Sequence, residues 1–296
     1  MRTPVVTPRT STMRLTALGV LSAALVAIVW VTTTQTLAGQ QVADMILYGR
    51  VAADPAVLGA ATEALSALSL AFAATAAAGL FILAIARGGF GLATAVVVLL
   101  GGANLTALGL KLVLERPNLL GDVAYATGNS FPSGHVAIAS SLGLACVLVA
   151  PRRVRMAVAI AAAALIAAVG VSTMVAGWHR LADVEGAILI SLGWASLVTA
   201  ILVHAQGWMP RRTWGRGLGG PAMTLVGAAG TAAVVAGGVG ILVAGVDSRP
   251  LAELIATQEG GPRTFVAALA IAAGTSLVGC AGYVWAMRGV ALELPG

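Results

Sequence analysis

Apolar residues fall into eight runs along the chain, at roughly 15–38, 64–86, 90–110, 135–151, 156–178, 184–206, 224–246 and 265–287. Most approach the ~20 residues needed to cross a hydrocarbon core of ~30 Å. The run at 135–151 is short, and the Ser133-Gly134 entry ahead of it completes it. A segment in lipid must satisfy its own backbone hydrogen bonds, so each run is expected to be a helix. The pattern predicts an all-α, polytopic transmembrane bundle of eight spans. Residues 1–14, with Arg2, Arg9 and Arg14, form a polar tail; residues 15–206 form a six-span core; residues 207–296 add a two-span extension. Residues 39–63 are mixed, with Asp44, Arg50, Asp54, Pro55 and Glu63, and are expected to form an extracytoplasmic connection with a short interfacial helix. Basic residues before the first run, with Thr36-Leu37-Ala38 after it, also fit a signal peptide, but the run is longer than the usual apolar region and favours an uncleaved first span.

Composition supports a bilayer protein. The 296 residues are 59% hydrophobic and 9% charged, with mean hydropathy +0.96, whereas a soluble domain carries about 25% charged residues. The net charge of +6 comes from basic residues scattered between apolar runs, which argues against a nucleic-acid partner. Cys146 and Cys280 lie inside apolar runs and are expected to be buried thiols rather than a disulfide framework. With eight spans both termini share one side. That side holds eleven of the Lys and Arg residues and the opposite side six, so the termini are expected in the cytoplasm and the protein in the cell membrane. The connections 111–134 and 179–183 then face outward together. The outward connection 247–264 either covers a site there or merely caps the bundle.

Those two connections hold the reactive groups. The chain has three histidines. His135 follows Gly128-Asn129-Ser130-Phe131-Pro132-Ser133-Gly134, and His179 lies in the second connection. His204, at the far end of its span, is expected to be an interfacial side chain. His179 and Asp183 are four apart; on a helix they share a face, and the carboxylate can hold one ring nitrogen while the other acts as nucleophile or base. The same pair also fits an ion pair at a helix start. Ser133 fits an N-cap, and a helix N-terminus is an anion site that nearby Lys111, Arg116 and Arg180 would deepen. Lys111 and Arg116 equally fit membrane-interface anchors, and Arg180 a headgroup contact.

Taken together, Lys111…Arg116-Pro117, then Pro132-Ser133-Gly134-His135, then Ser172…His179…Asp183 resemble the type 2 phosphatidic acid phosphatase superfamily over roughly residues 105–190. The resemblance implies a six-helix core and removal of phosphate from lipid phosphates, prenyl diphosphates or soluble phosphate esters. By the same resemblance, His179 is the nucleophile, Asp183 its orienting carboxylate and His135 the acid that protonates the leaving oxygen. Ser133 and Gly134 match phosphate-binding positions, with Lys111, Arg116 and Arg180 as further substrate-binding candidates. Two departures stand out. Only four residues separate Lys111 from Arg116, where the family has six, so the usual Arg position is Asn118. Thr173 stands where the third motif has Arg.

The expectation is an integral-membrane, metal-independent phosphatase without a cofactor. Its substrate class is a lipid phosphate or polyprenyl diphosphate, such as phosphatidic acid or phosphatidylglycerol phosphate, cleaved through a phosphohistidine at the extracytoplasmic face. The alternative is a non-catalytic lipid-binding or transport protein that retains the fold.

Overall fold

The structure, a computed structural model, describes residues 8–50, 53–124, 127–205, 219–243, 261–288 and 290. Residues 1–7, most of the 247–264 connection and the chain end lie outside the described residues. Among those described there are nine α-helices and no strand: α1 (Pro8–Thr34), α2 (Leu37–Gly49), α3 (Pro55–Ala67), α4 (Leu70–Val113), α5 (Gly134–Val149), α6 (Arg155–Val175), α7 (Leu181–Ala205), α8 (Gly219–Val243) and α9 (Gly261–Ala286). Six of them, α1, α4, α6, α7, α8 and α9, are long and apolar enough to span a membrane, and α5 is a shorter apolar helix of 16 residues. The chain is a multi-pass membrane protein.

The predicted span 90–110 and most of the predicted span 64–86 are joined in α4; residues 64–67 instead end α3, and α4 begins at Leu70 after its N-cap Ser69. A straight helix of its 44 residues would be ~66 Å long, about twice the hydrocarbon core. The helix does not run straight, because Gly89 has φ 68° and ψ −164°. That backbone lies outside the helical region and is open essentially to glycine. The break divides α4 into two segments, each of span length, so among the described residues helix covers most of each of the eight predicted apolar segments. Residues 39–63 hold more structure than expected. α2 and α3 are both amphipathic 13-residue helices, capped at their starts by Thr36 and Asp54, whose side chains accept from the Gly39 and Ala56 amides.

α5 sits at the centre and is buried along nearly its whole length. It packs against α4, α6 and α7, while α1 lies along α7. Small residues allow the close crossings expected between helices in lipid. Gly230 of α8 and Gly274 of α9 meet backbone to backbone: a Cβ on Gly230 would lie 2.8 Å from the Gly274 carbonyl oxygen. α9 in turn packs on α6, α7 and α2, so the C-terminal pair is joined to the core through α9. Polar side chains pin specific pairs. Trp194 Nε1 donates to Thr106 Oγ1 at 3.0 Å, and Asn104 Nδ2 to Ser141 Oγ at 3.0 Å. Cys280 is buried, Cys146 half-buried, and both are free thiols.

Candidate active site

The site gathers at one end of α5. Ser133 is the N-cap: its Oγ accepts from the Val136 amide at 3.4 Å, and its own amide donates to the Asp183 main-chain carbonyl at 3.0 Å. This second bond ties the start of α5 to the start of α7. Gly134 and His135 are the first two residues of the helix, where amides have no intrahelical acceptor, and a Cβ on Gly134 would meet open space. The helix start therefore presents N–H groups and a positive dipole end to an open volume. Asn129 shapes the approach, donating from Nδ2 to the carbonyls of Leu114 and Lys111, at 2.8 and 3.3 Å. It thereby fastens the 128–133 turn to the end of α4, which carries Lys111. Phe131, fully buried and joined to Pro132 by a cis peptide, packs on Trp30 of α1 at 5.2 Å between ring centroids.

His179 reaches Asp183 by a different route from a shared helical face. His179 and Arg180 precede α7, and Asp183 lies in its first turn. The Asp183 carboxylate reaches back to the helix start, where Oδ2 accepts from the Arg180 amide at 2.8 Å, half of a capping box. The same oxygen accepts from Ser130 Oγ at 2.6 Å and lies 3.3 Å from His179 Nδ1. The helix-start role and the histidine-orienting role thus belong to one carboxylate. With Nδ1 directed at Asp183, Nε2 is the nitrogen left for other chemistry. His135 lies at the start of α5: its ring contacts that of Trp178 at 5.5 Å, and it is close enough to His179 and Lys111 for both to act on it electrostatically. His204 is exposed at the opposite end of α7.

The cations are arranged around a residue that the motifs did not point to. Asp44 of α2 is fully buried, and its Oδ1 lies 3.3 Å from Arg180 Nε and 3.4 Å from Arg116 Nη2. Arg180 Nη1 also donates to Ser130 Oγ at 3.1 Å. A continuous chain runs Arg116–Asp44–Arg180–Ser130–Asp183–His179. Burial and the neighbouring Arg180 lower the pKa of Arg116, against the pull of Asp44 and Asp183; a guanidinium nevertheless stays charged. The structure therefore brings Lys111, Arg116, Ser133, Gly134, His135, His179, Arg180 and Asp183 to one end of the bundle, with Arg116 and Arg180 engaged by Asp44. Asp44 had a signal in the sequence, a lone carboxylate inside the apolar stretch Val42–Leu47. Ser130 had none beyond its place in the turn. Among the described residues no three His, Cys, Asp or Glu side chains gather closely enough to hold a metal ion.

Residues 90–206 match the PAP2 superfamily. That segment encloses all three motifs, and the resemblance drawn from them is borne out over it. The chain is also similar to the crystal structure of the first transmembrane PAP2-type phosphatidylglycerolphosphate phosphatase from Bacillus subtilis, at 20% identity and a TM-score of 0.46, over 66% of this chain and 96% of that one. No curated protein matches the chain. Against the PAP2 pattern, the structure shows what fills the third-motif Arg position. Thr173 is fully buried, its hydroxyl donates to the Gly170 carbonyl of its own helix at 2.8 Å, and its carbonyl accepts from the Trp178 and His179 amides. The residue shapes the turn that delivers His179 and carries no charge to it. Asn118 donates to the Gly121 carbonyl within its own loop.

Proposed function

We propose that this protein is a membrane phosphatase that removes phosphate from a lipid phosphate or polyprenyl diphosphate through a phosphohistidine intermediate, without a metal. The observation that carries the reading is the His179–Asp183 pair beside the open N-terminus of α5, which also carries His135. His179 Nε2 attacks phosphorus as the P–O bond to the leaving oxygen breaks, and His135 gives that oxygen its proton. In the second step His135 takes a proton from water, the water oxygen bonds phosphorus, and the P–N bond breaks to release phosphate and restore His179. Asp183 holds the ring and steadies the charge it gains. The Gly134 amide, Ser133 and Lys111 face the non-bridging oxygens, since phosphoryl transfer needs alignment and positive charge above all. Arg116 and Arg180 add to the positive field behind them.

The lipid class is supported by the surroundings. Beside Lys111, Leu112 and Val113 are each 76% exposed, as expected of side chains facing acyl chains. An apolar groove of about 380 Å³ between α1, α4 and α7 includes Val26, Leu110 and Trp194, and Leu110 adjoins Lys111. A headgroup at the site can therefore keep its tail in hydrocarbon. The bias of basic residues toward the side of the termini supports an extracytoplasmic site in the cell membrane. The experiment is phosphate release from short-chain phosphatidic acid by purified protein in detergent with EDTA. Wild type is expected to turn over and His179→Ala to lose on the order of 10³-fold or more. Equal release by the two proteins would remove the mechanism and favour a lipid-binding protein that only keeps the fold.

A further inference from the structure

Thr173 leaves the third motif without its cation, and Arg116 and Arg180 are engaged by Asp44. A further guanidinium comes to the same turn from another element. Arg50 follows the last residue of α2, and its side chain lies against Gly177, two residues before His179. A Cβ built on Gly177 would clash with Arg50 Cζ and Nε. Gly177 also has φ +74°, the left-handed region that favours glycine. One residue thus meets two demands, the backbone of the turn and the close approach of the arginine. The position of Arg50 is braced from behind. Gly49 packs so closely on Gly261, the first residue of α9, that a Cβ there would meet the Gly261 backbone. The C-terminal helix pair therefore holds the end of α2, and with it Arg50, against the 174–179 turn.

We propose that Arg50 supplies the phosphate-clamping charge that Thr173 lacks, delivered by α2 and buttressed by α9. The proposal rests on the phosphatase reading above. It gives the two-span extension a role in fixing a substrate-binding residue at a site that its own segment does not line. A purely structural role is also available to Arg50, because a cation at the C-terminal end of a helix is favourable with respect to the helix dipole. Such a role would show in thermal stability and not in oxyanion binding.

The test uses the purified full chain in detergent, with Arg50→Gln, Arg50→Lys and His179→Ala. Two quantities are read: kcat/KM on short-chain phosphatidic acid, and the rise in unfolding temperature produced by orthovanadate, which mimics the five-coordinate phosphoryl group. Arg50→Gln is expected to lower kcat/KM about 100-fold and to lose most of the vanadate-induced rise. Arg50→Lys is expected to recover part of both, whatever its basal stability. A vanadate-induced rise that is the same in wild type and both Arg50 variants overturns the proposal. So does an Arg50→Gln protein with kcat/KM within twofold of wild type. The vanadate arm needs no turnover: failure of the phosphatase reading appears separately, as absence of phosphate release from wild type, and Arg50 is then judged on the vanadate shift alone.

Discussion

Both ends of α5 bury arginine, and they neutralise it differently. At the far end, Arg155 is buried and bonded to main-chain carbonyls: Nε and Nη2 donate to Ala150 O at 3.3 and 3.1 Å, and Nη1 to Val290 O at 3.1 Å. Those bonds cap the last turn of α5 and tie it to the segment after α9. At the site end, Arg116 and Arg180 share the carboxylate of Asp44. Carbonyls solvate a charge in place and fix the backbone around it. A carboxylate opposes the charge with another, and a second anion can compete for the same guanidinium groups. The first arrangement is a fastening. The second holds two positive charges on one shared carboxylate.

The contrast can be broken by removing two groups at the site end and one at the far end. Asp44→Ala leaves two buried guanidinium groups without their carboxylate and is expected to destabilise the protein most, by about 3–5 kcal/mol, measured as loss of unfolding temperature in detergent. A change below ~1 kcal/mol would mean that the pair is solvated in some other way. Next comes Ser130→Ala, which removes hydroxyl bonds to both Asp183 and Arg180. A hydrogen bond to a charged group contributes ~1.5–3 kcal/mol, so kcat/KM is expected to fall about 10- to 100-fold with KM changed much less. An unaltered kcat would separate Ser130 from the orientation of Asp183. Smallest is Arg155→Met, expected to cost about 1–3 kcal/mol through the Ala150 and Val290 carbonyls left without a donor. The KM of the protein that remains folded should match wild type, and a raised KM would show that the far end also shapes the site.

Much of this could be read from the sequence, for reasons that differ by element. The apolar runs were legible because lipid imposes length and helicity on each span, and helix covers most of each run among the described residues, although the run 64–86 is divided between α3 and α4. The break at Gly89 was not, since a single glycine in an Ala- and Gly-rich chain gives no sign of its φ. The site histidines, Asp183 and the Ser133 cap were legible because motif spacing and helix-start chemistry are local. Asp44 stood out as a lone carboxylate in an apolar stretch, but its place in the site was not legible, nor was that of Arg50, because both sit about 60 or more residues from the nearest motif along the chain and join the site only through packing of α2. Of the two arrangements the spacing allowed for His179 and Asp183, a shared helical face and a helix-start pair, the structure has the helix-start turn, and spacing alone cannot tell one from the other.

The placement of α2 has a consequence for any attempt to move this site between proteins. The matched segment, 90–206, contains His135, His179 and Asp183 but neither the shared carboxylate nor the arginine packed on Gly177. A chimera that grafts only that segment onto a different bundle would inherit the proposed reacting groups without their electrical surroundings. The smallest transplantable unit is therefore discontinuous: α2 must travel with the segment, and α9 with α2.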